Sequence, residues 1–441
     1  MNTSVKRALA NPFFRYNAIS FVGSVAVAAL NYLYYPVLGR LLHPADFGEV
    51  QAINSLYLQS TVFMSVFSVV IVNIVSKHSD SKIRQRILAE LEKAAFIVTL
   101  SVMLVLVAAS SGLANFFHFG TVYPLFLLLL CLLLSVPFTF RNAFLQGKRD
   151  FIATAKTGAL SASAKIFFSA LFVILGWKAF GAVFGMVIAQ GLALLYLIYL
   201  VRERGWLKLP DFSRASLPDL RLIQSELKFA ALVLVATLSF NVFLSLDILA
   251  VKHWFSPTTA GLYGGIETLG RIVFYMSISV AGVLLPSVSG QKDPKENRRL
   301  LYRSVLLTGA LGLAVLTAFL LVPREIVSIL MGKKFLVYIY LLPRLGLFTF
   351  LASLINLFVT YHLAQRRAFI AVAMALGVAV TLLWLTASHA TVASVVTSLI
   401  FGALSTLVLI AGLSWLWPKS SRLFKVRLSR PAREEISQLS T

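Results

Sequence analysis

The sequence predicts an all-α polytopic membrane protein of twelve transmembrane helices in two six-helix lobes related by a parallel repeat. Three observations carry that expectation. Mean hydropathy is +0.85, with 59% hydrophobic and only 13% charged residues among 441, where soluble domains carry about 25% charged residues. The apolar runs are continuous over about 20 residues, enough for a helix to cross about 30 Å of hydrocarbon, and lack the period-two alternation of barrel strands. The third observation is a local pattern that recurs once along the chain, taken up below.

The composition excludes a soluble enzyme, a disordered chain and a disulfide scaffold. The single Cys131 lies in an apolar run, so no internal disulfide or multi-cysteine metal site is possible. The net charge of +23 would by itself suggest nucleic acid. In so apolar a chain it fits basic loops held against anionic membrane lipids, and no nucleic-acid partner is expected.

The twelve apolar runs cover residues 16–39, 50–75, 94–116, 122–144, 152–175 and 180–201, then 229–254, 262–288, 304–322, 338–364, 368–387 and 391–417. With the N-terminus inside, the inner segments hold 29 Lys and Arg and the outer loops five, so both termini are expected in the cytoplasm. The first run continues through Val37, past a cleavage-like Ala26-Val27-Ala28, which argues for a span over a signal peptide. The expected organisation is an N-terminal lobe at 1–201, a cytoplasmic linker at 202–228, a C-terminal lobe at 229–417 and a basic tail at 418–441.

The linker falls between runs six and seven, and the two halves share a motif. Pro44 precedes Gly48 by four residues after the first run, and Pro257 precedes Gly261 by four after the seventh, both at an offset of 213 residues. Each marks a short outer turn in which proline opens a helix. Six spans per half make the repeat parallel, about an axis along the membrane normal. Two facing lobes create a cleft at their interface.

Those segments, residues 39–48 and 247–286 with Ala260-Gly261-Leu262-Tyr263, Leu269-Gly270-Arg271 and Leu285-Pro286, resemble the polysaccharide flippases of the multidrug/oligosaccharidyl-lipid/polysaccharide exporter superfamily. The resemblance implies two six-helix lobes around a cationic central cavity. It also implies export of an undecaprenyl-pyrophosphate-linked oligosaccharide across the bacterial inner membrane. Expected partners are that lipid-linked oligosaccharide, membrane lipids, and the polymerase and chain-length machinery of the polysaccharide.

Ionisable groups at membrane depth are costly and mark function by default. Within the runs lie Arg141, Lys156, Lys165, Lys252, Arg271 and Arg344 against Asp247 and Glu267. The positive excess suits an anionic ligand such as pyrophosphate. Lys165, about 20 Å from the inner end at about 1.5 Å per residue, is the leading cavity candidate, flanked by the small residues 161–164. Lys156 lies on the opposite helix face near the cytoplasmic end and is expected to snorkel. Glu267 and Arg271 are one turn apart and form either a neutralising pair or a phosphate site released by Glu267. Asp247 pairs with Lys252 or Arg271, or serves as a proton or Na⁺ site. Arg40 and Arg344 lie near the outer surface, and the resemblance puts Arg40 at the cavity mouth.

Polar stripes suggest a wet interior: Asn17, Ser20, Ser24 and Asn31 on the first span, Gln51, Asn54, Ser55 and Gln59 on the second, and Ser353, Asn356 and Thr360 on the tenth. No glycine-rich phosphate loop or metal-ligand spacing occurs, and the longest outer loop is 323–337. Neither an enzyme nor a cofactor or metal site is expected. The rival reading is a proton- or sodium-coupled multidrug or small-molecule efflux transporter, for which an acidic cavity would be the mark. Replacing Lys165 or Arg271 by alanine is expected to stop export and leave the protein inserted and stable.

Overall fold

The computed structural model describes residues 12–77, 81–148, 150–204, 224–289 and 293–417. Most of the expected linker (205–223) and the whole basic tail lie outside them, as do the side chains of Asn17, Ser20 and Ser24. Among the described residues the regular elements are all helical. The N-terminal half holds α1 (Pro12–Leu41), α2 (Pro44–Thr61), α3 (Phe63–Lys77), α4 (Ser81–Ala108), α5 (Ser110–Phe116), α6 (Tyr123–Gly147), α7 (Phe151–Phe172), a π stretch Val173–Trp177 and α8 (Lys178–Glu203). The C-terminal half holds α9 (Gln224–Trp254), α10 (Pro257–Gly270), α11 (Ile272–Ser289), α12 (Pro294–Leu321), α13 (Pro323–Leu330), a 3₁₀ stretch Lys333–Leu341, α14 (Leu342–Ala364), α15 (Phe369–Ala387) and α16 (Val392–Leu416).

Among the described residues, eight helices qualify as membrane spans by length and hydropathy, or ten when each bent pair counts as one. Part of the difference from twelve has an identifiable source. The 53-residue stretch Phe151–Glu203 counts once, yet a straight helix of that length would be about 80 Å long. It doubles back at Gly176 (φ +91°) and Lys178 (φ +48°), and Ser169 Oγ on α7 donates to the Ala182 carbonyl on α8 at 2.7 Å. The apolar runs at 50–75 and 262–288 are each broken, by 46° between α2 and α3 and by 41° between α10 and α11.

The repeat extends well beyond the two turns. Helices α2, α4 and α5 begin at residues 44, 81 and 110, and α10, α12 and α13 at 257, 294 and 323, each 213 residues on. Caps follow the same logic: proline opens α2, α10, α12 and α13, and Ser256 Oγ accepts from the Thr259 amide at 3.2 Å. The register is lost after α13, where the 3₁₀ stretch intervenes.

The halves meet where α2 crosses α10. A β-carbon on Gly48 would lie 2.8 Å from the Gly261 nitrogen, and one on Gly261 only 1.5 Å from the Pro44 carbonyl oxygen, so this crossing admits only glycine. Gln51 Nε2 donates to the Gly264 carbonyl at 2.8 Å and to Thr268 Oγ1 at 2.7 Å. Gly48 with Gly261, and Gln51 with Gly264, are residues 213 apart in contact with each other. Only residues beside a two-fold axis touch their own equivalents, so the axis of the repeat runs between α2 and α10.

Candidate functional site

Lys165 on α7 reaches across to α1. Its Nζ donates to Asn31 Oδ1 at 3.0 Å and stands 4.4 Å from the ring centroid of Tyr34, a cation–π contact. Among the described residues no carboxylate pairs with it. Lys165 is half-buried and Asn31 exposed, whereas Tyr34 is fully buried.

Arg271 occupies the break between α10 and α11, directly after Gly270, and its side chain is only 11% exposed. It forms an ion pair with Glu267 one turn back, lies 3.4 Å from Asp247 Oδ1, and donates to the Leu244 carbonyl at 2.9 Å. Asp247 also accepts from the Ile248 amide at 2.7 Å and lies 3.5 Å from the Tyr263 hydroxyl. Of the two partners open to Asp247 from sequence, the structure gives it Arg271. The break itself is held by Thr349 on α14, whose Oγ1 donates to the Gly270 carbonyl at 2.7 Å.

These two clusters are related by the repeat in a way the residue types conceal. Leu244 and Asp247, which hold Arg271, lie 213 residues after Asn31 and Tyr34, which hold Lys165. Each half therefore keeps one cation against the same two positions of its first helix. The cations themselves come from non-equivalent helices. Tyrosines gather beside Arg271: Tyr35 and Tyr275 neighbour it, Tyr32 meets Tyr275 edge-on across the two halves at 6.0 Å, and Asn54 donates to the Tyr35 hydroxyl at 2.6 Å. Tyr275 is 39% exposed.

The positive excess inferred from the runs is smaller in three dimensions. Arg141 is 4% exposed and forms an ion pair with Glu92 of α4, itself 3% exposed. The apolar runs leave Glu92 in a cytoplasmic loop, but α4 starts at Ser81 and carries it inside the bundle. Lys252, 1% exposed, faces the charges of Glu49 and Asp46 on α2. Lys156 and Arg344 are exposed. Arg40 donates to the Ile329 carbonyl in the opposite half. Gln59 Nε2 is buried without a hydrogen-bond partner among the described residues. On α14, Ser353 is spent on its own helix, donating to the Thr349 carbonyl at 2.8 Å. A small cleft lined by Leu56, Leu106, Leu113 and Leu129 is apolar and holds none of these charges.

Sequence reasoning passed over Tyr32, Tyr34, Tyr35 and Glu92. Aligning the halves at the 213-residue offset would have paired Tyr34 with Asp247 and Asn31 with Leu244, and so drawn attention to that stretch of α1. Nothing in a span-by-span reading flags Glu92, because its partner lies 49 residues away.

The fold is similar to that of a multidrug resistance MATE family transporter of the MOP superfamily in an inward-facing conformation, with a TM-score of 0.68 and 13% identity over 90% of this chain and 100% of the other. It is similar to the lipid II flippase MurJ in an inward closed conformation, with a TM-score of 0.71 and 12% identity over 90% and 87%. The Vibrio cholerae MATE transporter VcmN in the bent form gives 0.59 and 12% over 93% and 98%. None of the curated protein sequences matches this chain. The family described as Polysaccharide biosynthesis protein matches residues 15–292, more than half of the sequence. The family match covers more than half of the chain, and the shared fold is consistent with it: the chain belongs to the polysaccharide biosynthesis protein family.

Proposed function

We propose that the protein is a flippase for an undecaprenyl-pyrophosphate-linked oligosaccharide, working by alternating access between an N-terminal lobe (1–201) and a C-terminal lobe (229–417) in the inner membrane, with both termini cytoplasmic. The observation that carries this reading is the pair of cations, Lys165 and Arg271, held at repeat-equivalent positions of α1 and α9. A diphosphate offers two anionic groups, one for each half. Guanidinium and ammonium donors grip phosphate oxygens directly. The tyrosines beside Arg271 supply flat apolar faces with hydroxyl edges against which a sugar ring packs, while the polyprenyl chain stays in lipid.

Closure at the Gly48–Gly261 crossing, which the loop charges assign to the outer side, leaves the opposite end as the loading side. The test is translocation of a fluorescent polyprenyl-pyrophosphate disaccharide by proteoliposomes. Lys165→Ala should reduce the initial rate at least tenfold, and a variant running at the parent rate would overturn the reading.

A second reading, ion-coupled efflux, draws on the same triad. Two carboxylates face one guanidinium, and a proton or sodium ion would balance the remaining negative charge. The carboxylate-free ammonium of Lys165 favours the anionic cargo over a cationic drug. The two combine if the triad takes up that ion as Arg271 turns to phosphate.

A further inference from the structure

The end of the bundle at the repeat turns is closed by more than the glycine crossing. Arg40, in the last turn of α1, donates to the carbonyl of Ile329 near the end of α13 in the other half. His253 is the residue 213 positions after Arg40, in the last turn of α9. Its Nδ1 lies 2.8 Å from the carbonyl oxygen of Phe116, the last residue of α5. Phe116 in turn lies 213 positions before Ile329. The imidazole also stacks on the Phe116 ring, with centroids 3.7 Å apart and an 8° tilt. The two contacts are thus the same contact made twice, once in each direction across the axis. In both, a side chain at the end of one half's first helix satisfies a carbonyl in the last turn of the other half's short helix, where no intrahelical partner exists.

We infer that Arg40–Ile329 and His253–Phe116 are twin latches that hold this end shut and break together when the lobes part. The latches sit at the rim, exposed, with one hydrogen bond each and a ring stack beside the second, whereas the interior of the same end is close-packed around Phe47 and Phe335. A rim bond can be exchanged for water, so it tunes the equilibrium without fixing it. Other charged groups share the rim. Lys334 Nζ donates to the Leu42 carbonyl at 2.5 Å, and His118 Nδ1 lies 3.4 Å from the Lys252 carbonyl. These again tie one half's loop to the end of the other half's first helix. The inference rests on the alternating-access reading above, but it is independent of the cargo.

The test is the distance between spin labels on His43→Cys and Thr258→Cys, both exposed at the turns, in detergent and in nanodiscs without any cargo. The parent should give one dominant short distance. Adding Arg40→Met and His253→Leu together should bring in a longer population, raising the open-to-closed ratio about tenfold, the scale of one charge-assisted hydrogen bond. Each single variant should do less. His253→Arg, which gives the C-terminal half the residue its counterpart uses, should narrow the distribution. Should the double variant not fold, the two single variants, Arg40→Met and His253→Leu, are read the same way. Gly261→Leu serves as a wedge that forces the seam. Unchanged distances in the latch variants with an opened wedge variant would overturn the latches alone. A wedge variant that stays shut would overturn alternating access beneath them.

Discussion

Each half of the molecule holds a cation against its first helix, and the two halves do so with opposite chemistry. In the N-terminal half Lys165 rests on an amide and an aromatic ring, Asn31 and Tyr34. In the C-terminal half the equivalent helix offers a backbone carbonyl and a carboxylate, Leu244 and Asp247. Position 267 adds a second acid where the N-terminal half has Asn54. The neutral clasp leaves the ammonium's charge available, and the acidic clasp neutralises the guanidinium until something competes for it. The repeat has preserved the place of the site while its two halves diverged in charge. On the proposed reading, one cation stands ready for an anion, and the other must be released to it.

The largest expected effect comes from removing the caged cation. Arg271→Ala orphans Asp247 and Glu267, both 1% exposed. Breaking a buried pair by deleting one partner costs about 3–5 kcal/mol, so this variant should melt well below the parent in a detergent thermal-shift measurement and export nothing. The sequence alone suggested a stable Arg271→Ala protein; the pairing predicts a destabilised one instead. Adding Asp247→Asn and Glu267→Gln should recover most of the lost melting temperature without recovering export. Lys165→Ala should behave differently. It orphans no acid, so the melting temperature should stay near the parent's while translocation falls at least tenfold. Equal destabilisation by the two alanine variants would erase the distinction between the clasps.

Much of the fold was legible because its determinants are one-dimensional. Long apolar runs dictate spanning helices, and Pro44 and Pro257 at a fixed offset announce the repeat. The breaks at Val62 and Arg271 were not legible, because continuous hydrophobicity carries no signal for a bend that neighbouring helices stabilise, as Thr349 does at Gly270. At the site, the ionisable residues stood out by their cost in an apolar setting, but their partners did not. Glu92 hides at the end of a basic amphipathic stretch. Arg40, expected at a cavity mouth, bonds to a carbonyl 289 residues away. Charge counted along a chain overstates the field when acids from other helices fold in beside the bases.

Smaller effects sharpen the comparison further. Gly261→Ala places a methyl group against the Pro44 carbonyl, with backbone on the other side. Overpacking of this kind costs about 1–3 kcal/mol, and it acts on the closed end only. Its expected signature is a modest fall in melting temperature with an increased accessibility of the seam to a membrane-impermeant thiol reagent at Thr258→Cys. The smallest effect belongs to Lys156→Gln. Lys156 shares α7 with Lys165, carries the same charge and lies nine residues earlier, but it is exposed on another face. A surface substitution of this kind changes stability by about 0.5 kcal/mol or less. If charge on α7 mattered only through the overall potential of the bundle, Lys156→Gln and Lys165→Gln would slow translocation alike. If the clasp at Asn31 and Tyr34 is what makes Lys165 a ligand group, only the second should slow it, and initial rates measured on the same proteoliposome preparation at two salt concentrations separate the two explanations.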